Sequence, residues 1–274
     1  MLLPKARAVN PPPDGGYPGF NTAEGQNALL NLDTTTGFAN TAIGSFSLQS
    51  SINSGFNTAV GAGTLTLNTG NENTAVGAAA LLLNTTGEDN TAVGVDALLN
   101  NTIGEANTAI GDAALLSNTT GGSNTAAGAL ALFGNTTGTD NTAIGDNALA
   151  SNTTGSLNTA IGVAALVDNS TGGSNTAVGV SALAGNTNGN NNTATGVAAL
   201  VNNSTGSFNT ATGLSALHGH VEPTGVSLRP AIDRRKFAGT GSLSLPRGTE
   251  KRVVADIQWS RRIPHSGWSL SSHP

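Results

Sequence analysis

The side chains that could do chemistry in this chain are few and scattered. His218 and His220 form an H-x-H pair, a spacing at which two imidazoles can share a metal ion, here at the edge of a polar terminus. Asp96, Asp112 and Asp146 recur near one point of a repeated pattern and could gather round a cation. They do not follow the glycine/aspartate nonapeptide of calcium-binding repeats. Ser and Asp are plentiful, but none sits at a nucleophile–base spacing. Gly121-Gly122-Ser123 lacks both the lysine of a phosphate loop and the spacing of a dinucleotide fingerprint. The chain has no cysteine, hence neither disulfides nor thiolate ligands. Asn-Thr-Thr triplets such as Asn118-Thr119-Thr120 are formal glycosylation sequons, relevant only in a eukaryotic secretory pathway. No catalytic, cofactor-binding or metal-ligating residue is nominated, and the expectation is that the protein is not an enzyme.

The elements that would have to position such residues are all alike. Asn-Thr-Ala occurs twelve times, from Asn21 to Asn209, and from Asn73 onward it returns every 17 residues. A fixed period of this kind marks a stacked, quasi-one-dimensional fold. Numbering each unit from its Asn, the third residue is always Ala, the fifth always Gly and the ninth always Leu, as in Ala109, Gly111 and Leu115. A second Asn-Thr/Ser pair follows, as at Asn118-Thr119, and then a glycine such as Gly121. Seventeen residues broken by Gly and Asn cannot hold a helical hairpin. The expected fold is all-β: a parallel β-solenoid of about twelve 17-residue coils, spanning 21–217. Each coil is predicted to carry one strand on Thr-Ala-Val-Gly and another on Ala-Leu-x-x-Asn, with bends at the two glycines. Stacked Asn would form amide ladders, stacked Thr would give contacts between rungs, and the Leu column would be an apolar spine.

The first strand carries a further expectation. Thr and Val/Ile lie on one of its faces, Ala and Gly on the other, so both faces are small or apolar. Strands buried on both sides have that character. One thin coil covers only one face, and a second copy of the chain is the expected cover for the other.

The Asn-Thr-Ala-Ile/Val-Gly-x-x-Ala-Leu pattern around Asn-Thr-Thr-Gly resembles the head repeats of trimeric autotransporter adhesins, the YadA-like heads. The matching core is the Ala-Ile/Val-Gly of Ala109-Ile110-Gly111 and Ala160-Ile161-Gly162. The resemblance spans residues 21–217. It implies a left-handed β-roll, a homotrimer, a place on the bacterial cell surface, and adhesion to a host or matrix surface. The period of 17 is longer than in the familiar heads, and no stalk, anchor or chaperone segment is recognisable. Two other readings come from the repeat itself. A Thr in every first strand, Thr22 to Thr210, would suit an ice- or crystal-binding solenoid, and a rigid shaft would suit a phage-like fibre.

Charge excludes some partners. Residues 21–217 hold 11 acids and no Lys or Arg, so the array is unsuited to nucleic acid or an anionic membrane. No apolar stretch is long enough to span a bilayer as a helix. Residues 1–20 form a separate segment, in which Ala6-Arg7-Ala8 has the small-x-small form of a signal peptidase site; an exported precursor with a truncated start is the expectation. Residues 218–274 lose the periodicity and turn basic, with nine Lys/Arg against four acids. They read as an irregular, disordered tail or the product of a reading-frame change.

Overall fold

The computed structural model describes residues 18–33, 35–218 and 224–228. The Ala6-Arg7-Ala8 motif, His220 and the Arg-rich part of the tail lie outside the described residues.

Thirteen short strands form one parallel sheet in chain order, from β1 (Thr22–Glu24) and β2 (Thr41–Ile43) to β12 (Thr210–Thr212) and β13 (Ser227–Leu228). The predicted β-solenoid is therefore the fold observed. Between β6 (Thr108–Ile110) and β7 (Thr125–Ala127), Thr108 faces Thr125 and Ala109 faces Ala126, and like stands on like along nearly the whole stack. Twelve steps at a strand spacing of ~4.8 Å give a rod about 58 Å long. No described residue lies in an α-helix.

The array does not end with the last Asn-Thr-Ala. Val226 stands 17 residues after Asn209, and Ser227 and Leu228 pair with Thr210 and Ala211. The rung is kept although the motif has gone. The backbone N–H of Val226 donates to Asn209 Oδ1 at 3.1 Å. Val226 has no side-chain amide to pass the ladder on, so the first amide ladder stops at this rung.

The second predicted strand is absent. Between the fifth and twelfth positions the backbone makes consecutive reverse turns instead. In the sixth coil, Ala114 N–H donates to Gly111 O at 3.4 Å and Asn118 N–H to Leu115 O at 3.2 Å. Ala113 and Leu115 have φ of 51° and 52°, in the left-handed region. This alternation sends successive amides to opposite neighbours: Ala113 N–H reaches Val95 O of the coil before, and Leu115 N–H reaches Ala131 O of the coil after. Every rung is thus bonded on both sides without being a strand.

Leu at the ninth position adopts positive φ in all twelve coils. A non-glycine residue loses about 1–2 kcal/mol in that conformation. Ten of these leucines, Leu48 to Leu200, are fully buried, and burying a Leu side chain returns about 1.5–3 kcal/mol. Burial wins narrowly, with the inter-rung hydrogen bonds added. The remaining core is alanine from the third and eighth positions, such as Ala109 and Ala114.

The two glycines of the typical rung are there for different reasons. Gly111 has φ 137°, and a Cβ on it would sit 2.5 Å from Gly128 O. Gly121 needs no positive φ; a Cβ there would meet the backbone O of Gly138 in the next coil at 2.4 Å and the side-chain Oδ1 of Asn118 at 2.5 Å. The expectation of a bend through positive φ holds for the first glycine, whereas the second makes room for the carbonyl of the next coil and for an amide.

Candidate functional site

Two amide ladders run through the core, the first from Asn21 to Asn209 and the second from Asn68 to Asn203. In the first, Asn124 donates from Nδ2 to Asn107 Oδ1 at 3.1 Å and to Gly138 O at 2.9 Å, while its backbone N–H donates to the same Asn107 oxygen at 3.0 Å. In the second, Asn118 Nδ2 donates to Asn101 Oδ1 at 2.8 Å and to Gly121 O at 2.9 Å. Gly121 O also accepts from Asn107 Nδ2, which ties the two ladders together. These asparagines are fully buried in the interior coils, and no buried side-chain polar atom among the described residues lacks a partner. All the amide dipoles point one way along the rod, an arrangement in which each bond polarises the next.

This disposes of the ladder asparagines as binding groups. The Asn-Thr-Thr and Asn-Ser-Thr residues Asn84, Asn118, Asn135, Asn152, Asn169 and Asn203 belong to the second ladder, so their side-chain nitrogens are enclosed and bonded. The second ladder does not reach the first two coils, whose twelfth positions are Leu32 and Ser51. In the second coil the Asn/Gly pair is replaced by Ser51 and Ser54, whose hydroxyls lie 2.5 Å apart. Shortening Asn to Ser takes away the amide that a side chain on the glycine would meet in the other coils.

The acids do not assemble. Asp112 and Asp146 take the sixth position of their coils and Asp96 the seventh, with the alanine of the intervening seventh coil, Ala129, between the first two. No group of three or more His, Asp or Glu suited to a metal ion occurs among the described residues. Asn71 Nδ2 donates to Glu88 Oε1 at 2.8 Å, a surface bridge between rungs. Asp33 is the one carboxyl among the described residues with a resolved shift. Bonds from the Thr35 hydroxyl (2.6 Å) and N–H (2.9 Å) hold it below the ordinary carboxylate range. His218 is exposed at the last Leu-containing coil.

What remains is the outward face of the sheet. Ala of each strand points inward and is buried, while the residues on either side point out. The fourth position forms a column of branched side chains standing in water: Ile110 is 47% exposed, Ile144 43% and Val93 37%. Beside it runs the Thr column of the second position. The two threonine columns differ in a way sequence alone does not reveal. At the thirteenth position the hydroxyl is committed, as when Thr119 Oγ1 donates to Thr136 O of the next coil at 3.0 Å. Among the described residues, no strand Thr from Thr22 to Thr210 has a side-chain hydrogen bond to the protein. The face thus offers free hydroxyls and uncovered methyl groups, repeated at the rung spacing.

A scan of protein-family models and a search of curated proteins both give no match to this chain. No helix among the described residues is long and apolar enough to cross a membrane.

Proposed function

We propose that this protein is a non-enzymatic, extracellular adhesive module: a rigid β-solenoid head of a bacterial cell surface that works as a homotrimer. The observation that carries this reading is the uncovered Val/Ile column on the sheet. Branched apolar side chains, contiguous over nine rungs but for Ala127, form the kind of patch that monomers seldom leave in water. A second copy is the natural cover, and the resemblance to trimeric adhesin heads points to three. Adhesion would then rest on multivalency, with each ligand contact weak and repeated along and around the rod. The test is the absolute mass of the full chain by light scattering on a sizing column. A threefold mass is expected; a folded monomer would overturn the reading.

A second reading is favoured by the free strand hydroxyls. In-register Thr with unengaged Oγ and adjacent methyl groups is a surface suited to an ordered lattice such as ice. It competes for the same face, since a covered column cannot also meet ice. Thermal hysteresis in the purified protein would favour it, and its absence would remove it.

A further inference from the structure

The seventh coil breaks the apolar column in an instructive way. From Ile43 to Val178 every rung has Val or Ile at the fourth position except this one, which has Ala127, followed by Ala129 at the sixth. The same coil carries the largest side chain of another column. At the tenth position, half-buried leucines such as Leu99 and Leu116 give way to Phe133, which is 38% exposed. One rung later the order reverses, with Ile144 at the fourth position and Ala150 at the tenth. A gap and a bulge of opposite sense at one level are what two surfaces need if they meet at that level.

Charge narrows the choice of surfaces. An array with 11 acids and no cation can approach its copy only through acid-free ground. The second and tenth positions contain no acid, and the fourth has only Glu24, in the first coil. Acids crowd the sixteenth and seventeenth positions instead, with Glu88, Asp89, Glu105 and Asp140. Packing against its own neighbours explains Phe133 only in part, because it remains exposed while standing beside Ala150 in its column.

We infer that the copies associate head to tail around a ring and level with one another. The fourth-position face of one copy lies on the tenth-position face of the next, and Phe133 of the neighbouring copy fills the gap at Ala127. Such a heterologous contact uses two different patches and closes only as a ring. The inference rests on the oligomeric reading above and adds its faces and its register.

The test uses the lack of native cysteine. Full-length Ala127→Cys and Phe133→Cys chains, one with a size tag, are refolded together and oxidised. The expected product is a mixed disulfide joining Cys at 127 of one chain to Cys at 133 of the other, with neither variant cross-linking alone. Cross-linking of the Ala127→Cys variant with itself, or no mixed product from an assembled oligomer, would overturn the inference while leaving the oligomer standing. A native chain that is monomeric by light scattering removes the oligomeric reading itself. Without cysteine, Phe133→Ala should raise the dissociation constant at least about tenfold, as loss of a buried aromatic anchor does. The Ala127→Phe/Phe133→Ala pair should recover most of that loss. Equal weakening by the single and paired changes would count against the register.

Discussion

Asn118 shows what one residue contributes to this fold. Its replacement by Ala would leave Asn101 Oδ1 and Asn135 Nδ2 buried with a bond missing, while Gly121 O keeps its bond from Asn107. At about 1–3 kcal/mol for each stranded group, Asn118→Ala should destabilise the rod by about 3 kcal/mol or more in urea denaturation. The Ser51/Ser54 pair makes a sharper prediction. Gly121→Ser alone clashes with Asn118 Oδ1 as well as with the carbonyl of Gly138, and Asn118→Ser alone leaves a hole; the double change removes the first clash and brings together the two hydroxyls paired in the second coil. The double variant should be more stable than the sum of the two singles implies, by about 1 kcal/mol or more in a double-mutant cycle. Additivity would show that the hydroxyl pair is incidental. At the exposed seventeenth position, Ala106 has φ 55° without the burial that offsets it at Leu115. Ala106→Gly should therefore raise stability by up to about 1 kcal/mol, against the usual penalty for glycine.

The element of this protein is the rung, not the strand. A typical rung has three strand residues, a run of turns and two ladder amides, and its strand and ladder bonds run to the rungs on either side. Excising one whole unit, residues 107–123, should therefore leave a folded rod with its far-ultraviolet spectrum preserved and only a modest fall in Tm. Excising only half a unit, residues 107–114, would join the seventeenth position of one coil directly to the ninth of the next and is expected to abolish the cooperative transition. The chain itself shows where length can vary. The third coil has 16 residues and the first 19, and both departures fall after the ninth position, away from the strand. Val226 marks the end of the first ladder, a rung with the spacing but without the amide.

For the molecule as a whole, the balance lies between an apolar stripe and a uniformly acidic surface. If the copies associate through the stripe, their acids repel, and salt relieves that repulsion. Between about 0.01 M and 1 M salt the screening length falls from roughly 30 Å to 3 Å. Oligomer dissociation measured by sedimentation should weaken as salt rises, opposite to the behaviour of an assembly held by ion pairs. An assembly loosened by salt would exclude the apolar stripe as its main contact.

The sequence by itself determined the period, the parallel register, the buried Ala and Leu columns and the presence of amide ladders. A rung that bonds only to copies of itself writes its register into the spacing, and a residue kept at every repeat must fit against itself. The same sequence left the second half of each rung misread as a strand. The sign of φ at Ala113 or Leu115 is set by neighbours 17 residues away on both sides, not by local preference, which opposes it. Nor did it distinguish the committed Thr119 from the free Thr108, or the glycine that must turn from the glycine that must yield space. Those roles depend on which way each side chain points once the rungs are stacked, and only the tertiary structure decides that.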